Sequence, residues 1–190
     1  MNLSVFLLLV HVCGAVAFAA GPFISLFGWL SLRRVERVEQ VRLVLRLMVM
    51  PGPVAGFGML FIIVSGLYMV ATTWGWQTGW IDVSLGSLIV LLMPSGAFIG
   101  IRRQAIARLS NEIPDGPLSE ELVKRIQDPL LGTSTIMLNA LLFGIIFLMV
   151  VKPAPIFSLI VIGASIVLGL AFSLPIWRVK SDERKTVEYT

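Results

Sequence analysis

No formal charge interrupts the run from Ser4 to Leu32, SVFLLLVHVCGAVAFAAGPFISLFGWLSL, and that feature excludes most folds open to a chain of 190 residues. A bilayer core of roughly 30 Å is crossed by about 20 apolar residues in a helix, so this run is long enough to span with tilt. Inside the bilayer every backbone N–H and C=O must be paired within the segment, which leaves helix as the only form for a single apolar run of this length. Four further runs of the same kind follow. The spans expected are 4–32, 51–74, 81–101, 130–151 and 156–177, an all-α bundle of about five transmembrane helices in one domain. Composition agrees: 57% of residues are hydrophobic and only 14% charged, far from the balance of soluble domains.

Phe6 to Val16 also resembles the core of a signal peptide, with Ala17-Phe18-Ala19 as a cleavage motif. The charge order favours an uncleaved anchor, because no Lys or Arg precedes the run while Arg33, Arg34 and Arg37 follow it. The same residues orient the chain. Of its fifteen basic residues, all but Lys152 fall in the segments 33–50 and 102–128 or in the tail 178–190, which alternation across five spans puts on one side. By the positive-inside rule the amino terminus is outside and the carboxyl terminus cytoplasmic. Trp74, Trp76 and Trp80 then belong to the outer aromatic belt, and Trp29 and Trp177 to the inner one. The net charge of +4 therefore reports loops beside a membrane and no nucleic-acid partner.

Between spans, 33–50 places Val35, Val38, Val41, Leu45 and Met48 opposite Arg37, Glu39, Arg42 and Arg46, a cytoplasmic amphipathic segment lying on the membrane or leading into the second span. Pro51-Gly52-Pro53 breaks it and pre-sets the next helix. Asp82 opens the third span as a cap, and Pro94 kinks it. The cytoplasmic loop 102–128 holds a short helix capped by Ser119. Lys152-Pro153-Ala154-Pro155 leaves room only for a tight reversal.

Little of this carries reaction chemistry. All eleven acids lie in loops, at helix ends or in the tail, whereas ion-coupled pumps place ionisable groups inside the bundle. A small-solute transporter or channel using backbone carbonyls remains an alternative. G-x-S-x-G, H-E-x-x-H, Walker and Rossmann patterns are absent. His11 is the one ionisable group well inside a span. It is the candidate cofactor ligand, for haem iron, a quinone oxygen or a metal ion; the competing reading is a neutral imidazole hydrogen-bonded to a neighbouring helix. One histidine cannot give bis-histidine ligation, so a metal would need other ligands or a second copy of the chain. Cys13, the only cysteine, points to another helix face. His11, Asp82, Lys152 and Tyr68 gather at the outer end, either around a shallow polar cavity or as separate interface residues.

The strongest recurrence is of small residues. Gly14, Gly21 and Gly28 repeat every seven positions; Gly52 with Gly56, Gly96 with Gly100, and Ser165, Gly169 and Ser173 repeat every four. Such faces let helix backbones approach closely, within the bundle or against other membrane helices, as in a homo-oligomer or a larger complex. Asn139, Ser65, Ser87 and Ser95 are expected to make interhelical hydrogen bonds. These features describe a non-enzymatic accessory or structural subunit.

The phrases LLLVHVCGAVAFAAGPFI, WGWQTGWID and FLMVVKP, spread over Leu7 to Pro155, resemble a family of predicted bacterial integral membrane proteins of unknown function. More loosely they are similar to the copper-resistance D type of membrane protein, which also begins with a histidine-bearing span. The resemblance implies a multi-pass architecture in a bacterial inner membrane and brings no established activity. The copper function would want more His or Met near the outer end than His11 and Met69.

Overall fold

The structure is a computed structural model that describes the backbone of residues 3–188 and the side chains of 3–90 and 97–177. The side chains of Pro94, Ser95 and Gly96, and those of the tail 178–190, lie outside the described residues. Among the described residues seven α-helices form: α1 Leu3–Leu32, α2 Val38–Val49, α3 Gly52–Met69, α4 Gly79–Glu112, α5 Glu120–Ile126, α6 Pro129–Val151 and α7 Pro155–Glu188. A π-helical turn, Val70–Trp74, extends α3. Four stretches are helical, apolar and long enough to cross a bilayer, namely Leu3–Leu32, Val38–Trp74, Glu120–Val151 and Pro155–Trp177, and Gly79–Val90 is a shorter apolar helix at the start of α4. The protein is an all-α membrane bundle.

Helix α6 is the hub. It packs against α1, α4 and α7, while α3 stands at the edge and leans chiefly on α1. Burial follows this placement, since α6 encloses ten residues along its length and α3 only Gly58 and Ser65. The outward surface is covered with exposed Leu, Ile, Val and Phe, as lipid contact requires.

At one end the bundle carries a compact polar-capped layer. Val38, Val41, Leu45 and Met48 of α2 turn inward and join Trp29, Leu32, Ile99, Ile106, Leu122, Ile126 and Leu131 in the main hydrophobic cluster. The apolar stripe expected on α2 is therefore real, but it meets protein. The residues left outside include Leu43, Leu47, Val49 and Met50. The predicted cap Ser119 forms: its Oγ accepts from the Leu122 N–H of α5 at 3.4 Å. Asp128 caps α6, its carboxylate accepting from Leu130 N–H and pairing with Arg102.

Three expectations need correction. The loop drawn from residue 102 is helical as far as Glu112, because Ile106 and Ser110 fall on the buried side of a continuous α4. Asp82 does not cap that helix, which begins earlier at Gly79 and leaves Asp82 exposed in its first turn. Trp29 is no belt residue. It is enclosed, with 3% of its surface exposed, because Gly132 leaves room for the indole against the α6 backbone.

Candidate functional site

The tightest helix pair is α1 with α3, and His11 belongs to it. A Cβ built on Gly58 would stand 2.6 Å from the Gly14 carbonyl oxygen and 2.6 Å from the Phe18 amide nitrogen; one on Gly14 would stand 2.8 Å from the Gly58 carbonyl oxygen. Glycine at both positions lets the two backbones touch. Gly21 against Ala55 and Gly28 against Met48 continue the same face of α1 onto α3 and α2. One turn before Gly14, the His11 ring lies beside Gly66, and its Nδ1 is 3.1 Å from Ser65 Oγ.

The Ser65 hydroxyl donates to the Phe61 carbonyl oxygen, and the ring has the Ile62 backbone as a second polar neighbour on α3. The imidazole thus clamps α1 to α3. A carboxylate or carbonyl holding one ring nitrogen is the usual support for a metal-ligating His; here a hydroxyl does it. Cys13 is exposed and apart, and no three His, Cys, Asp or Glu side chains gather as a metal site among the described residues.

Asn139 ties α6 to α1. Its Nδ2 donates to the Pro22 carbonyl at 3.2 Å and to the Thr135 carbonyl at 2.9 Å. Both neighbours are acceptors, which orients the amide and leaves Oδ1 without a partner, as Trp29 Nε1 also is. Beside them a groove of about 660 Å³ runs between α1, α6 and α7, bordered by Phe143, Phe147 and Phe172. The two orphan atoms are enclosed, so the groove offers a nearly apolar wall suited to acyl chains.

The Trp-rich end holds a feature that residue spacing did not suggest. Lys152 ends α6 in the left-handed conformation, φ 52°. Its Nζ lies 4.0 Å from the centroid of the Trp74 ring and 5.8 Å from that of Trp80, and the two indoles meet edge to face at 5.6 Å. The rings stabilise the cation where it leaves the helix. Among the described residues no hydrogen bond or ion pair joins Asp82 or Tyr68 to His11 or Lys152, and both are exposed. Neither the groove beside Asn139 nor a second one at the Arg-rich end is lined by any of these four residues.

At the Arg-rich end, Arg42 reaches from α2 to the end of α4. Its Nε donates to the Ser110 carbonyl at 2.8 Å, Nη2 donates to the Ile113 carbonyl, and Nη1 pairs with Asp115. These are the carbonyls that a helix end leaves unsatisfied. Glu39 accepts from the Gly116 N–H at 3.2 Å and pairs with Arg37. Hydrogen bonds from its own backbone N–H, from Arg37 and from Gly116 hold the Glu39 carboxyl below its ordinary value.

The remaining glycines divide. Gly169 is filled by Met137 and Ala140 of α6, whereas Gly52, Gly56 and Gly100 meet nothing within 4 Å. Gly52 and Gly56 lie on the outward side of the edge helix α3.

No curated protein and no solved structure matches the chain. Residues 5–153 do match the family described as Predicted integral membrane protein (DUF2269), a stretch that carries the His11–Ser65 clamp, the Lys152–Trp pair and every helix through α6. The chain belongs to that family of integral membrane proteins.

Proposed function

We propose that this protein is a non-enzymatic accessory subunit that docks, through the outward face of α3, onto a transmembrane helix of a larger bacterial inner-membrane assembly. One observation carries the reading: Gly52 and Gly56 form a four-residue glycine pair with nothing within 4 Å on an edge helix that leans chiefly on α1, while Gly14, Gly21, Gly28, Gly58 and Gly169 are filled from within. A partner helix would gain close backbone packing there. The orientation proposed is amino terminus outside and carboxyl terminus cytoplasmic, supported by the placement of every basic residue except Lys152. Native membranes solubilised in mild detergent should yield the chain in a complex larger than its 20.8 kDa, and Gly52→Leu with Gly56→Leu should release it. A monodisperse wild-type monomer would sink the reading. In a Cys13→Ser background, a cysteine at Thr78 should label from outside and one at Ser181 only after permeabilisation.

A second reading makes His11 a ligand for haem, quinone or a metal ion, and the observation favouring it is an imidazole set within the α1–α3 contact and oriented by Ser65. The likeness to copper-resistance proteins bears on it only through the histidine in the first span. An absorption spectrum and extraction of purified protein, with His11→Ala beside it, decide: absence of a Soret band, bound quinone and bound metal excludes it.

A further inference from the structure

A second groove, of about 650 Å³, opens at the Arg-rich end between the last turns of α2, the first turn of α3 and α4. Its lining joins Arg42 and Arg46 to Val49, Met50, Pro53 and Asn111, and contains no carboxylate. The charge of Arg42 is already met by Asp115, but Arg46 makes no ion pair among the described residues. The floor is apolar: Val49 and Met50 are 71% and 70% exposed, and the surface continues onto lipid-facing Val54 and Phe57.

Cationic at one side and continuous with the lipid-facing surface at the other, the groove has the chemistry of a phospholipid's own boundary. We propose that it holds an anionic phospholipid, with Arg46 pairing the headgroup phosphate and Val49, Met50 and Pro53 against the first methylenes of an acyl chain. A soluble anion would use the cation and leave the apolar floor bare. The proposal is independent of the helix docking above, which uses Gly52 and Gly56.

The full-length chain in nanodiscs of phosphatidylcholine doped with phosphatidylglycerol provides the test, with bound lipid counted by native mass spectrometry. Wild type should enrich phosphatidylglycerol, and Arg46→Gln should cut that enrichment about fivefold, the effect of roughly one basic residue at a membrane surface. Arg34→Gln, which removes a charge from the same end but does not border the groove, should leave most of that enrichment in place. Val49→Ser should weaken retention while keeping the headgroup preference. Three results would overturn the proposal: no preference in wild type, equal loss in Arg34→Gln and Arg46→Gln, or displacement of the lipid by inorganic phosphate alone.

Discussion

Replacing Gly58 by alanine should separate α1 from α3, whereas the same change at Gly56, two positions away on the same helix, should not. The added methyl at Gly58 would lie 2.6 Å from two backbone atoms of α1 and 2.9 Å from Ala17 Cβ. Backbone cannot turn aside as a flexible side chain does, so the helices must shift, and overpacking of this kind costs about 1–3 kcal/mol. Alanine returns up to about 1 kcal/mol of helix propensity at either site. The net effect is a loss of roughly 0–2 kcal/mol at Gly58 against a small gain at Gly56, a gap of about 1–3 kcal/mol between two chemically identical substitutions. The separation should also break the His11–Ser65 hydrogen bond, which lies one turn from Gly14 on α1 and two turns from Gly58 on α3. Equilibrium unfolding in mixed micelles measures the gap, and the imidazole NMR shift of His11 reports the bond. If the two variants unfold alike with His11 unmoved, the backbone contact of α1 and α3 is not what holds this pair.

The Arg-rich end offers two further tests. Glu39 has a folded pKa below its ordinary 4.5, so its contribution is present above that value and is lost as pH falls through the lower folded one. The Gly116 amide shift should titrate with a midpoint under 4.5 and stop titrating in Glu39→Gln; a midpoint at or above 4.5 would contradict the bonding described. Arg42→Gln strips the end of α4 of its charged donor, and amide exchange near Ile113 should speed up about tenfold, corresponding to about 1–2 kcal/mol for charge-assisted bonds of a partly buried side chain. Unchanged exchange would mean that the carbonyls are satisfied another way. At the opposite end Lys152→Gln should cost about 0.5–1 kcal/mol and alter Trp fluorescence, while Lys152→Gly should nearly break even by relieving the left-handed backbone; equal losses in both would refute that balance.

What could be read along the chain and what could not divide by the range of the interaction. Ser119, Pro51-Gly52-Pro53 and Lys152-Pro153-Ala154-Pro155 act on their own neighbours, and the helix limits they imply appear at α5, α3 and the α6 to α7 reversal. The repeat of Gly14, Gly21 and Gly28 marks one face of α1, but which helix fills it depends on register against α3 and α2. His11 and Ser65 each stand out as polar residues in apolar runs; only the depth at which α1 and α3 cross joins them. The helical stretch Arg102–Glu112 looked like loop because its charges end the apolar run, yet Ile106 and Ser110 were already spaced to face inward. Arg42 capping a helix that ends some 70 residues later, and Lys152 between two indoles, are set by tertiary structure and leave no local signal.

The Lys152 arrangement ties one end of the bundle together. Trp74 and Trp80 flank the link from α3 to α4, and Lys152 begins the link from α6 to α7; Pro155 also abuts Gly79, so two hairpin tips meet at one place. A cation on one tip therefore rests on the indoles of the other, and a change at either tip is felt by both: the contact pins together two parts of the bundle that lie far apart along the chain.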